Sequence, residues 1–203
     1  MIDELAELIG RHLGDGSLVK NPKTNGYQLI LTEEENLLLY QAEIVKRYFP
    51  VKSLRIKPRK SVYDLIIYSK ELYRYISDGL KIPQTKKGAS YIVPKHFFDL
   101  PLNIRKRVVR GLMDTDGSLY YSKNQNGWTI ELNMVHKDAI DFVSNVLKET
   151  NITHNVSIKQ KKRGNRRVSY SLKIIGYKNI QKYFKHIGSC KWWFPSESRG
   201  APG

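Results

Sequence analysis

The sequence predicts an α+β fold in which one αββαββα unit is used twice, giving a pseudo-two-fold molecule with two antiparallel sheets. Three observations carry that reading. Asp15-Gly16-Ser17-Leu18 returns as Asp116-Gly117-Ser118-Leu119, an offset of 101 in a chain of 203 residues. Asn25-Gly26 returns as Asn126-Gly127 at the same offset, so six of the twelve positions from Asp15 to Gly26 are identical to their partners without a gap. Around both segments the apolar periodicity runs through the same series of helices and strands.

Each element follows from its own pattern. Glu4 to Gly14 predicts a helix with Leu5, Leu8 and Ile9 on one side, stopped by Gly16. Asn103 to Thr115 predicts its counterpart, with Val108, Val109, Leu112 and Met113 as the apolar side and Gly117 as the stop. A hairpin follows each, turning on Asn-Gly, the pair that best tolerates positive φ. In the second, Trp128, Ile130 and Leu132 alternate with Thr129, Glu131 and Asn133, the mark of a half-buried strand. A longer helix comes next in each half, over Glu34 to Tyr48 and Lys137 to Thr150. Second strand pairs span Lys52–Lys57 with Val62–Tyr68, then Asn155–Lys161 with Arg167–Ile175. Aromatic-rich helices, Glu71–Ile76 and Asn179–His186, end the two halves. Residues 81–102, holding Pro83, Pro94 and Pro101, read as the connection. The expected division is 1–98 for the first half, 99–195 for the second, and a disordered tail over 196–203.

Composition limits what such a chain does. Lys and Arg number 35 against 19 Asp and Glu, a net charge of +16, while 40 % of residues are hydrophobic and 11 % aromatic. That apolar share supports a core and excludes disorder for most of the chain. One cysteine, Cys190, excludes a disulfide scaffold or a cysteine-rich zinc module, and five scattered histidines make no zinc site. Cys190 itself reads as a small packing residue. No apolar run reaches the roughly 18 residues of a membrane span. The start, Met1-Ile2-Asp3-Glu4, lacks the basic-then-apolar profile of a secretory signal. The expected location is therefore cytoplasmic, or the organelle or nucleoid in a eukaryote. A charge of +16 exceeds what solubility needs, about 2–8 in a small domain, and points to a polyanion such as nucleic acid.

The strand patterns place that charge. Val156 and Ile158 are expected to face the core while Ser157, Lys159, Lys161 and Arg163 face out. On the returning strand Val168, Tyr170, Leu172 and Ile174 face in, against Arg167, Ser169, Ser171 and Lys173. The first copy repeats this, with Leu54 and Ile56 inward and Ser53, Arg55, Lys57 and Arg59 outward. The outer faces read as ladders of Arg, Lys and hydroxyls nearly free of acids, suited to phosphates and base edges in a major groove. The competing reading is a solvated face whose lysines protect a sheet edge.

Asp15 and Asp116 each follow a helix, where the helix dipole disfavours a carboxylate. Gly10 and Gly14 are repeated as Gly111 and Thr115, small residues that let two helices approach backbone to backbone. If those helices pair, the two acids meet, and carboxylates that close need a shared proton or a metal. Oxygen ligands beside phosphate suit Mg²⁺, and the supported chemistry is metal-assisted phosphodiester hydrolysis.

Leu8-Ile9-Gly10-Arg11-His12-Leu13-Gly14-Asp15-Gly16 and Val109-Arg110-Gly111-Leu112-Met113-Asp114-Thr115-Asp116-Gly117 resemble the two motifs of the LAGLIDADG homing endonucleases. The resemblance spans the chain, because that family's monomeric members are built from this duplication. It implies a saddle of two four-stranded sheets over DNA, with the motif helices at the interface between halves. It implies that Asp15 and Asp116 are metal-binding catalytic acids sharing two or three divalent ions, Mg²⁺ foremost, with the carbonyls of Gly14 and Thr115 as added ligands. The family's shell of basic and polar side chains makes Lys86 or Lys87, and Lys191, candidates for the catalytic set, with Glu33 and His136 behind them. A surface residue or a general phosphate contact is the competing reading for each. Leu13 stands where an acid is common, and Asp114 lies in the second motif but outside the implied site. Arg11 and His12 replace apolar residues, which predicts that part of the first helix reaches solvent.

The leading expectation is a monomeric, Mg²⁺-dependent endonuclease that cuts both strands of a long DNA site across the minor groove, encoded by a mobile intron or a free-standing frame. The alternative is an RNA maturase acting on intron RNA, or a non-catalytic DNA- or RNA-binding protein on the same scaffold. No membrane partner is expected. Trp192, Trp193 and Phe194 are expected to close the core beneath the second sheet.

Overall fold

A computed structural model describes residues 1–21, 26–84, 91–123, 126–159 and 168–192. The duplicated unit is present in full. A 3-10 turn (Asp3–Leu5) leads into α1 (Ala6–Leu13), β1 (Ser17–Asn21), β2 (Gly26–Glu33), α2 (Glu35–Tyr48), β3 (Ser53–Arg59), β4 (Val62–Tyr68) and α3 (Lys70–Arg74). The second copy is α4 (Leu102–Asp116), β5 (Gly117–Ser122), β6 (Gly127–Met134), α5 (Lys137–Glu149), β7 (Asn155–Lys159), β8 (Ser169–Ile175) and α6 (Tyr177–His186). The sheets have the orders β1-β2-β4-β3 and β5-β6-β8-β7, antiparallel throughout. Register repeats with sequence: Ser17 faces Ile30, and 101 residues later Ser118 faces Glu131. The second hairpin turns at Asn126, whose φ of 45° is the left-handed conformation that asparagine tolerates.

In each sheet one face is covered by helices. Leu29, Leu31, Leu65 and Ile67 of the first sheet, and Ile130, Leu132, Leu172 and Ile174 of the second, are buried against α1, α2, α4 and α5 in one continuous core. Ser69 caps α3 by accepting the Leu72 amide at 3.2 Å, and a π turn over Tyr75–Gly79 continues it past the predicted end at Ile76. The connection is not a loose strap. Ile92, Val93 and Phe97 are buried, a 3-10 turn covers Lys95–Asp99, and the amides of Ile92 and Val93 donate to Asp138 of α5 at 2.7 and 2.6 Å. The side chain at Phe97 also meets Phe142 edge-on, so residues 91–99 lie against the second half.

The inward assignment fails at the sheet edge and before β8. Val168, expected inward, is 42 % exposed, Val156 and Ile158 are 48 % and 64 % exposed, and every residue of β7 is open to solvent. The strand is at the sheet edge, and α5 packs mainly on β8 and β6, whereas α2 also reaches β3 and half-buries Leu54 and Ile56. Trp192 packs on the core beside Tyr183 as expected; Trp193, Phe194 and the tail over 196–203 lie outside the described residues.

Candidate active site

The site is made by the crossing of α1 and α4. Glycine is required at the crossing because the backbones touch: a Cβ on Gly10 would meet the Val108 carbonyl oxygen at 2.0 Å, and one on Gly111 the Glu7 carbonyl oxygen at 2.1 Å. One turn further on, a Cβ on Gly14 would lie 1.9 Å from Thr115 Oγ1 and 3.0 Å from Asp116 Oδ2. The Asp116 carboxylate therefore lies beside Gly14, the residue that precedes Asp15. Asp15 is exposed and Asp116 half-buried, at the ends of the two helices and the start of β1 and β5. The Thr115 hydroxyl is turned back onto its helix, donating to the Leu112 carbonyl at 3.0 Å. The Asp116 carboxylate, the Thr115 side chain and the backbone of Gly14 thus meet where the two helices end, with Asp15 next in the chain after Gly14; carboxylate and carbonyl oxygens are the donors that suit a hard divalent cation.

Beneath them is a charged network that the sequence reading missed. Arg11 and His12 are 2 % and 1 % exposed, so the expected solvent-facing stretch of α1 is buried. Three carboxylates surround Arg11: Glu7 at 3.1 Å, Glu33 at 3.0 Å and Asp114 at 3.0 Å. Arg110 also pairs with Glu7. Burial pushes the Glu7 carboxyl up, but Arg110 and Arg11 outweigh it and hold it below its ordinary value. For Glu33 burial wins over Arg11 and Lys191, and for Asp114 over Ser189, the Cys190 amide and Arg11, so both are raised. Asp114 is fully buried, accepting from Ser189 Oγ at 2.5 Å and the Cys190 amide at 3.0 Å, and is a structural anchor. The signal available in the sequence was Glu7 and Arg11 four apart on an otherwise apolar helix.

Cys190 is an exposed residue rather than a packing one, but its thiol lies 3.4 Å from Glu7 in a partly buried contact, and that burial together with Glu7 raises its pKa, which keeps it protonated. Glu7, Asp114 and Cys190 have ligand atoms within 4.8 Å of one another, but both acids are engaged by guanidinium groups, which leaves no charge for a cation there.

Among the other candidates, Glu33 joins the buried network and lines the same small cavity as Asp15 and Thr115. Lys191 is exposed, follows the Ser189–Cys190 anchor on Asp114, and lies near enough to Glu33 for its charge to lower that carboxyl. His136 occupies the N-cap position of α5. Lys86 and Lys87 lie outside the described residues, as do Lys161, Arg163 and Arg167 of the proposed DNA face.

On the outer sheet faces Arg55, Lys57, Arg59 and Lys159 are exposed and Lys173 is half-buried. The expectation that acids are nearly absent there is corrected at two central positions. Asp64 accepts from Thr32 at 2.6 Å and from Arg59 at 3.4 Å. Glu131 accepts from Lys159 at 2.7 Å, Ser171 at 2.8 Å and Tyr120 at 2.8 Å. Burial would raise the Glu131 carboxyl, but these donors bring it to about 2. A sequence shows that an acid alternates outward, not that its neighbours neutralise it.

Residues 103–188 match the LAGLIDADG-like domain family. No curated protein sequence matches the chain significantly. Among solved structures, a variant of the homing endonuclease I-DmoI in complex with its target DNA and Mn superposes with a TM-score of 0.65 at 21 % identity, over 92 % of this chain and 93 % of that one. I-DmoI with DNA and Mn gives 0.64 at 20 % identity, over 92 % and 96 %. The N-terminal LAGLIDADG domain of DUF199/WhiA gives 0.55 at 16 % identity, over 92 % and 81 %. The architecture is thus the duplicated LAGLIDADG fold, and further I-DmoI structures carry Ca or Mg with DNA. Among the described residues no helix is long and apolar enough to cross a membrane.

Proposed function

We propose, for a chain with the LAGLIDADG fold and a LAGLIDADG-like domain in its second half, that it is a site-specific, metal-dependent DNA endonuclease that cuts both strands of a long target. The observation that supports this is the approach of the Asp116 carboxylate to Gly14, the residue before Asp15, which brings the ends of the two motif helices together. Asp15 and Asp116 hold divalent metal, Mg²⁺ by the hardness of the donor set, with the Gly14 and Thr115 carbonyls beside them. Such an ion lowers the pKa of water and stabilises the leaving oxygen of a phosphodiester. The chain's own residues do the rest. Arg55, Lys57, Arg59, Lys159 and Lys173, together with Lys161, Arg163 and Arg167, hold the duplex against the sheets through phosphates and base edges. Lys191, with Lys86 as its counterpart, supplies positive charge to the scissile phosphate. The Glu7–Arg11–Asp114 network fixes the helix pair and hence the spacing of the acids.

One pseudo-symmetric chain presents both halves of the site, so the working form is a monomer, and the host is a mobile intron or a free-standing frame. The second reading is a nucleic-acid binder without nuclease activity, including a maturase acting on intron RNA, for the basic sheet faces serve binding with or without a cut. One experiment separates them: incubation with the uninterrupted allele of the host gene in Mg²⁺ or in EDTA, read on a gel. Cleavage only in Mg²⁺ supports the endonuclease, and binding without cleavage in either supports the second reading.

A further inference from the structure

The two sheets are built alike but their outer faces are not. Across the first sheet one register row reads Ser17–Ile30–Ile66–Arg55. The same row of the second sheet reads Ser118–Glu131–Lys173–Asn155. An apolar pair thus stands where the other half has an ion pair, at equivalent places in the fold. Ile30 and Ile66 point away from the helices, since their neighbours Leu29, Leu31, Leu65 and Ile67 fill the core, and both keep partial exposure. Val19, on the neighbouring strand, is 37 % exposed.

On the second face Glu131 is saturated. Oε1 accepts from Lys159 and Ser171 and lies 3.6 Å from Lys173 Nζ, while Oε2 accepts from Tyr120. Lys159 also donates to Asn133 at 2.9 Å, which leaves one N–H of its ammonium for an outside acceptor. A lysine free on such a face would follow the phosphates. Tethered over the sheet centre by an acid that stays ionised, it is aimed instead at the floor of the groove.

We infer that the halves read chemically different half-sites: the Ile30–Ile66 face takes thymine methyl groups, and the Lys159–Lys173 pair, positioned by Glu131, takes guanine edges. The inference rests on the proposed seating of the sheet faces in the major groove. There guanine presents O6 and N7 to a lysine, and thymine presents a C5 methyl to an apolar side chain. Glu131, with its acceptor sites filled from the protein, is a positioning residue rather than a base contact.

The test uses the whole protein in EDTA, so that cutting plays no part. Binding to bulk duplex is measured by gel shift, and preferred sites are selected from a randomised duplex library. The wild type is expected to enrich a site with guanines in one half and A·T pairs in the other. Glu131→Gln should reduce the guanine preference by about tenfold while raising affinity for bulk DNA and steepening its salt dependence, because two lysines are released to phosphates. A merely structural acid would not move affinity and discrimination in opposite directions. Lys159→Met, at a side chain 48 % exposed and so tolerant of change, should lose the same preference and leave the A·T half untouched. If the wild type binds no DNA, the seating on DNA falls and this inference with it. If it binds well but enriches like bases in both halves, or if neither variant alters the selected site, this inference alone is overturned.

Discussion

Gly10 packs its Cα directly on the Val108 carbonyl oxygen, so closely that a Cβ there would stand 2.0 Å from it. The reciprocal contact, Gly111 on Glu7, leaves 2.1 Å. Both obstacles are backbone atoms of a helix and cannot swing aside. Gly10→Ala or Gly111→Ala should therefore force the helices apart, at a cost of about 1–3 kcal/mol or more and a melting temperature several degrees lower. Because the separation moves Asp116 away from Gly14, metal-dependent cleavage should fall further than the lost stability accounts for. Differential scanning calorimetry and a cleavage assay at a temperature where the variant is folded check the two parts separately.

Arg11 is the only cation that three buried carboxylates, Glu7, Glu33 and Asp114, share among the described residues. Its replacement by methionine leaves Glu7 with Arg110 alone and strips Glu33 and Asp114 of their guanidinium in a region with almost no solvent access. The expected loss is about 3–5 kcal/mol, as for other buried pairs broken from one side. Asp114→Asn should also destabilise, since it weakens the hold of Ser189 and Cys190 on α4. Urea titrations of both variants, with an unchanged slope, are the measurement; a shift below 1 kcal/mol for Arg11→Met would mean the network contributes little.

How far the sequence could be read follows from what each signal encodes. The repeat of Asp15-Gly16-Ser17-Leu18 at Asp116 to Leu119 specified the duplication, and period-2 alternation specified the inward residues of β3, β6 and most of β8, because both depend on neighbours along the chain. The small residues Gly10 and Gly111 were legible as a helix crossing for the same reason. Arg11 and Asp114 were not, since a charged residue on a helix reads as exposed unless its partners are known, and apart from Glu7 the partners of Arg11 stand 22 and 103 residues away. The exposure of Val156 and Ile158 depends on how far α5 extends over β7, which no local pattern records.

Asp15→Asn and Asp116→Asn test the proposed chemistry. Each removes one metal-holding charge, and the cut should slow by roughly 10³-fold, the equivalent of about 4 kcal/mol in the transition state. DNA affinity should persist, and rise in EDTA, because a negative charge beside phosphate is gone. The control is Asp99→Asn, an exposed carboxylate outside both motifs; Asp114, buried and bonded, cannot serve. Wild-type cleavage by the Asp15→Asn/Asp116→Asn double variant would remove the proposed mechanism.

Acid titration isolates Glu131. Its folded pKa of about 2 lies below the ordinary 4.5, so between those values the unfolded chain binds more protons and stability rises with pH. The contribution is complete above the unfolded value and is lost as pH falls through the folded one. A separation from 4.5 to about 2 corresponds to about 3 kcal/mol. Asp114 and Glu33 act in the other direction, because their raised carboxyls favour the folded state at low pH and lose that advantage as pH rises through their folded values. They are common to wild type and Glu131→Gln, and cancel in the difference. That difference in unfolding free energy should be largest near pH 6, fall steeply below 4.5 and vanish only below about pH 2, where protonated Glu131 and glutamine carry the same charge. A difference constant across the range would mean that the wild type gains from the shape of the side chain at Glu131 and not from its charge.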